Sequence, residues 1–275
     1  MKIKGYIVSG LIFLSVGLVG LLIILAYNRF DVRKIATENV VIVENTYNEK
    51  VNKIKYDCKA DNVVIRATDR EDIYVKGKEI NNYKYDVKIV DEQLVIECQY
   101  GKWYETVFNL SWLNAIGFSS EQLLIEVPKS AELALDIDVK GGQLEVDGLK
   151  LNESTVNIKG GSFTAKNIDA SKISLDVKGG TSSFEDSKVE ELNLNMDATT
   201  TKLSNCLIGT WIAKLDASTL NADTQVTVYA SLKYSVSTIT ISLLGDKENY
   251  SVNGNGSGPV KVLHEGSVSS VNIKL

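Results

Sequence analysis

Proline, histidine and cysteine are the scarce residues of this sequence, with two, one and three copies in 275 positions. Two prolines exclude a proline-rich linker, and 20 glycines without a three-residue period exclude a collagen-like chain. A single histidine, His264, and the lack of any CxxC or HxxxH spacing leave no ligand set for a metal. No nucleotide or cofactor motif is present, so no cofactor is expected. Basic residues are outnumbered, 30 to 35, for a net charge of -5. A nucleic-acid binder needs the opposite balance gathered into a stripe. What is plentiful is apolar side chain: 44% of residues, beside 24% charged. That is enough to bury a core and argues against wholesale disorder.

The one long apolar run, Tyr6 to Tyr27, carries no charge. A helix of about 20 such residues crosses a bilayer, so the run predicts one N-terminal transmembrane helix, with the lipid bilayer as partner of residues 6–27. A cleaved signal peptide has a shorter apolar region, about 7–15 residues, and a small-x-small site that Tyr27-Asn28-Arg29-Phe30 lacks. Lys2 and Lys4 precede the run; Arg29, Arg33 and Lys34 follow it, with Asp31 among them. Charge counting therefore does not orient it.

Beyond the run the sequence repeats. Lys140-Gly141-Gly142 returns as Lys159-Gly160-Gly161 and Lys178-Gly179-Gly180, each time after 19 residues. The same step links Val139, Ile158, Val177, Met196, Leu215 and Tyr234 before the turn, and Ile137, Val156, Leu175, Leu194, Ala213 and Leu232 two places earlier. After the turn it links Val146, Ala165, Phe184, Leu203, Ala222 and Ile241. All are apolar. Within each unit apolar and polar residues alternate, as in Leu135-Asp136-Ile137-Asp138-Val139, which is strand periodicity with one face buried. A third short side reads Leu149 and Leu151, then Ile168 and Ala170, Ser187 and Val189, Cys206 and Ile208. Three-sided coils of this length stack, each strand pairing with its equivalent one turn later. The expected fold is all-β: a single-stranded parallel β-helix, or solenoid, with coils of 19 residues, preceded by the transmembrane helix. Parallel crossovers make it right-handed, and six rungs span about 29 Å.

The chain divides into a tail, anchor and juxtamembrane segment over 1–35, and a strand-rich N-terminal part of the solenoid over 36–130. Regular repeats follow over 131–245, then closing strands over 246–275. The N-terminal part lacks the strict repeat, as terminal coils that cap an open core do. Cys58, Cys98 and Cys206 fall on inward positions. They are either small buried hydrophobes or, outside the cytoplasm, a Cys58–Cys98 bridge with Cys206 left over.

These features together resemble the bacterial putative adhesin family, a domain of unknown function in membrane-anchored envelope proteins. The residues that carry the resemblance are the N-terminal anchor, the lead-in ending at Leu124-Ile125-Glu126-Val127-Pro128, the Val-Lys-Gly-Gly-x-Leu-x-Val units and the glycine-marked stretch Ser257 to Leu275. The resemblance covers about residues 40–275 and implies a non-catalytic module outside the cytoplasm. It carries over no catalytic residue. In later rungs the second glycine becomes Thr199 and Ser218, so the corner geometry is expected to change along the stack.

The chemical motifs reduce to structure. Lys-Gly-Gly suggests a phosphate cradle, yet such a cradle opens a helix and none follows here. Lys140, Lys159 and Lys178 share their outer face with Asp138, Asn157, Asp176 and Asp197, which reads as a neutralised solvent face. His264 has no nucleophile beside it. Asp136, Asp138, Asp147 and Asp176 do not form the carboxylate cluster of a polysaccharide-cleaving β-helix.

Gly101 to Glu121 breaks the strand pattern as an insertion. Tyr104, Phe108, Trp112 and Ile116 recur at helical spacing, and with Trp103 they form an apolar face. It either caps the solenoid end or contacts a partner or the membrane. The function expected is an adhesin-like interaction or structural module of the bacterial cell envelope, with an envelope protein or glycan as partner. The alternatives are a regulatory or stress-sensing partner of a membrane system and, third, a polysaccharide-active enzyme.

Overall fold

The computed structural model describes residues 13–20, 22–23, 26–27, 40–58, 61–80, 83–100, 123–235, 238–243 and 270–274. They fall into two units. The smaller holds Met1–Val41, Ile80–Tyr83 and Tyr100–Phe118. In it residues 13–20 are helical, with Phe13, Leu14, Val16 and Leu18 exposed. No described helix is long and apolar enough to cross a membrane. The rest of residues 6–27 lies outside the described residues, as do Trp103, Tyr104, Phe108, Trp112 and Ile116.

The described strands, in chain order, are β1 Val40–Tyr47, β2 Lys53–Cys58, β3 Asp61–Thr68, β4 Ile73–Ile80, β5 Tyr83–Val90, β6 Gln93–Tyr100, β7 Leu123–Pro128 and β8 Glu132–Val139. They continue as β9 Gly142–Asp147, β10 Lys150–Lys166, β11 Asp169–Glu185, β12 Lys188–Asp216, β13 Thr219–Ser235, β14 Thr238–Leu243 and β15 Ser270–Lys274.

In the larger unit, strands form where alternation puts every second side chain inside. In β8, Leu133, Leu135, Ile137 and Val139 are buried while Asp136 and Asp138 point outward. From β8 on, the coils stack in parallel with the 19-residue step. Leu151, Val156 and Ala165 stand opposite Ala170, Leu175 and Phe184, which stand opposite Val189, Leu194 and Leu203. Each strand thus recruits its own copy one turn later, and the third side is as buried as the other two. The step slips twice: Lys150 faces Glu132, 18 residues back, before Thr155 restores it against Asp136, and Cys206 faces Thr224, 18 residues on, before Thr210 restores it against Tyr229. The buried Thr224 hydroxyl donates to the Cys206 carbonyl at 2.6 Å across the second slip.

The interior is filled by volume complementation. Phe163 and Phe184, on neighbouring rungs, meet edge to face with centroids 5.4 Å apart. Trp211 is fully buried. Each such side chain contributes about 1.5–3 kcal/mol by leaving water.

Before β8 the spatial order departs from the chain order. β2 lies between β6 and β8 and is parallel to both: Ile54 faces Leu94 on one side and Leu135 on the other. β3 likewise lies between β7 and β9, with Ile65 facing Ile125 and Val146. The first coil in sequence, residues 53–68, is therefore an interior rung between coils that come later. The expectation of strands pairing one turn later corrects here, because alternation dictates which face is buried and not which rung is the neighbour. The open edge of β7 is paired by β4, which runs antiparallel with Val75 opposite Ile125. β5 returns into β6 through Asp91 and Glu92, both left-handed at φ 51° and 58°, as a two-residue hairpin requires. A Cys58–Cys98 disulfide, Cα–Cα 5.3 Å, ties β2 to β6, and Cys206 is free and buried. Of the two readings left open for the cysteines, the bridge is the one formed.

Candidate interaction surface

With the interior filled, function has only the outer faces and the corners to use. The first corner is the Lys-Gly-Gly turn. A Cβ on Gly161 would run into the Gly142 carbonyl oxygen, and one on Gly180 into that of Gly161. Close stacking of backbone on backbone is why the second position is glycine. From the second corner on, the first position is left-handed, φ 72° at Gly160 and 69° at Gly179, and it stays so at Ala198 (52°) and Ala217 (46°). The corner geometry does change along the stack: Gly141 in the first corner stands at φ 126°, and at the second position Gly142 and Gly180 take positive φ, 114° and 143°. There Thr199 and Ser218 are buried, and the Thr199 N–H donates to Ser218 Oγ at 3.1 Å.

The second corner was not singled out from the sequence. Asn167, Asp186 and Asn205 follow Gly148 at 19-residue steps, and all four are left-handed. Asn and Asp tolerate that conformation better than other side-chain-bearing residues. Asn167 Nδ2 donates to Asp147 Oδ1 at 2.9 Å, and Asn205 Nδ2 to Asp186 Oδ1 at 2.6 Å. Asn167, Asp169, Asp186, Lys188 and Asn205 line a shallow, open groove of about 390 Å³. The polar spacing was the available signal; a search for apolar repeats passes over it.

Along much of the outer faces charges meet their complements from rung to rung. Lys150, Asp169 and Lys188 succeed one another, as do Glu153, Lys172 and Glu191. Lys172 lies 3.0 Å from Glu191. An amide hydrogen bond from Asn193 and then the Lys172 ammonium hold the Glu191 carboxyl below its usual range, and Glu191 raises Lys172 in turn. Lys140 sits 2.8 Å from Asp57 and 3.5 Å from Asp138, and its hydrogen bond to Asp57 raises its pKa. An ammonium held by two carboxylates is no anion cradle. Lys159 and Lys178 stand opposite one another on neighbouring rungs.

The four aspartates considered as catalytic carboxylates are dispersed into such pairs. Asp136 holds Lys53 at 2.9 Å, Asp138 holds Lys140, Asp147 accepts from Asn167, and Asp176 accepts from Asn195 at 2.9 Å. His264 lies outside the described residues. Among the described residues no three His, Cys, Asp or Glu side chains gather as metal ligands. Burial raises the Cys206 thiol, so this cysteine sits in the core as a protonated small hydrophobe. What the surface offers chemically is paired, regularly spaced polar groups on stacked rungs.

A parallel β-solenoid with glycine corners and polar outer faces defines a class of stacked-coil proteins. The chain belongs to the family described as Toastrack DUF4097, which matches residues 51–266. This agrees with the resemblance to putative adhesins read from the sequence. Among solved structures it is similar to a putative adhesin from Bacteroides fragilis, with 12% identity, 85% of this chain and 97% of that chain covered, and a TM-score of 0.53. It is also similar to a putative adhesin from Parabacteroides distasonis, with 8% identity, 87% and 98% covered, and a TM-score of 0.54. At such identities the likeness is one of fold. No curated protein matches the chain.

Proposed function

We propose that this chain is a non-catalytic, adhesin-like interaction module of the bacterial cell envelope, tethered through residues 6–27 with its solenoid outside the cytoplasm. The observation that carries the reading is the stack itself. Its interior is closed by apolar columns, and its outside is a periodic array of polar side chains, the kind of extended surface on which solenoids bind. The four candidate aspartates, Asp136, Asp138, Asp147 and Asp176, are each engaged by a lysine or asparagine. The uncharged run from Tyr6 to Tyr27 supports the tether. The Cys58–Cys98 disulfide supports the placement, since such bonds persist where thiols are oxidised. The similar structures from Bacteroides and Parabacteroides are described as putative adhesins, which accords with this reading. The partner proposed is an envelope protein or glycan.

Two experiments test it. A reporter fused after Leu275 that is active only outside the cytoplasm should be active; activity only of a cytoplasmic reporter overturns the placement. The purified chain should be retained on immobilised envelope material and release nothing from peptidoglycan, teichoic acid or polysaccharide. Product release abolished by one carboxylate substitution overturns the non-catalytic reading.

A further inference from the structure

In a solenoid built in chain order the first coil is an end rung, held by one ladder and open to peeling. Here the first coil is held by two. β2 is paired with β6 from Lys53 to Asp57 and with β8 from Lys53 to Cys58. β3 is paired with β7 from Val63 to Thr68 and with β9 from Asp61 to Arg66. A pull arriving from the N-terminus therefore cannot free this coil without opening ladders on both of its sides at once. Its inward side chains Ile54, Tyr56, Cys58, Val63 and Ile65 are all buried, so release also exposes a full rung of core. The disulfide adds a covalent route. Load that reaches Cys58, the last residue of β2, passes directly to Cys98 on β6 and bypasses the chain between them. Among the described residues the far end has no equivalent: β15 is paired with β14 over five residues, and β14 with β13 over six.

We infer that coil 53–68 is a load-bearing clamp. Stretched between its ends, the chain gives up its C-terminal rungs one after another while this coil stays folded. The distal rungs thereby lengthen under load without detaching the module. Where the pull comes from rests on the proposed tether. The order of release does not, so a failed reporter fusion and a failed clamp are separate results.

The test stretches the full-length chain, held in detergent micelles, in optical tweezers between handles at its two ends. In the oxidised protein, low-force steps of about 65 Å are expected, one 19-residue rung each at about 3.5 Å per residue, followed by one release at higher force. The 40-residue separation of the cysteines keeps about 140 Å of extended chain hidden. With the distal handle moved to the exposed Lys150 the regular steps should vanish and the high-force release should remain. In Cys58→Ser/Cys98→Ser, or in wild type with dithiothreitol if that variant does not fold, the hidden length should appear in the last event with the order unchanged. A lowest-force first step that frees residues 53–68, in either redox state, overturns the inference.

Discussion

From β8 onward, order in the chain and order in space coincide; before β8 they do not. The two regions use the same raw material. Ile54, Tyr56 and Cys58 alternate inward as Leu135, Ile137 and Val139 do, and all six are buried. They differ in how neighbours are chosen. In the regular rungs each coil follows its predecessor by a tight corner, so the nearest partner in sequence is the nearest in space. In the N-terminal part the coil of residues 53–68 is flanked by segments about 40, 60 and 80 residues away. Regular stacking gives local contacts and modular strength; insertion gives an interlocked rung whose removal disturbs both neighbours.

The largest expected effect is a break inside the regular region. Leu194→Asp places an unpaired carboxylate in the column Val156, Leu175, Leu194, costs several kcal/mol and removes the cooperative thermal transition. A melt within a few degrees of wild type would mean that the 19-residue column is misassigned.

Second is the inserted coil. Cys58→Ser/Cys98→Ser opens a loop with a separation of 40 residues, worth about 3–4 kcal/mol in the chain-entropy picture. Hydrogen exchange should quicken first in β2 and β6 and least in β11 and β12. Uniform loss of protection would show that the two regions unfold as one.

Third are the corners. Gly180→Ala drives a methyl into the Gly161 carbonyl and should cost about 1–3 kcal/mol. Gly179→Ala meets open space at a φ that Ala198 already adopts one rung later, and should cost less. Reversal of that order in chemical denaturation would break the distinction between the two corner positions.

Smallest are the outer faces. Lys159→Ser should change stability by less than about 0.5 kcal/mol. The depressed carboxyls of Glu44, Asp72 and Glu191 contribute stability that is present above the ordinary carboxylate range and lost as pH falls through their lowered values. The raised Lys88, Lys140 and Lys172 contribute stability that is full below the ordinary lysine value and lost as pH rises through their raised ones. All six lie at the surface, exposed or half-buried, so the melting temperature should be nearly flat between these limits and decline gently outside them. A steep change near neutral pH would require a titrating group beyond these pairs.

How much of this could be read beforehand follows from the physics of each feature. The regular rungs were legible because burial every 19 residues leaves an apolar imprint that needs no partner to be named. The third side was legible for the same reason, down to Ser187 and Cys206 among its inward positions. The Asn167, Asp186 and Asn205 corner left an equally regular imprint, but a polar one, where apolar columns were sought. Ala198 and Ala217 in the left-handed region were not foreseeable from residue type; the stacked corners before them impose that conformation. The interior position of residues 53–68 leaves no imprint at all, because a coil with apolar inward residues satisfies any neighbour of like register. The apolar face of Trp103, Tyr104, Phe108, Trp112 and Ile116 lies outside the described residues, and the site it suggested stands on the sequence alone.

Cysteine cross-linking tests the interlocked order most directly. Lys55 stands opposite Val95 in one neighbouring rung and opposite Asp136 in the other. Under mild oxidation, Lys55→Cys with Val95→Cys and Lys55→Cys with Asp136→Cys should each cross-link within the chain. Val95→Cys with Asp136→Cys should not, because two rung spacings, about 9.6 Å, exceed the reach of a disulfide. Efficient bridging of positions 95 and 136, with position 55 bridging neither, would return the coils to chain order and contradict the account.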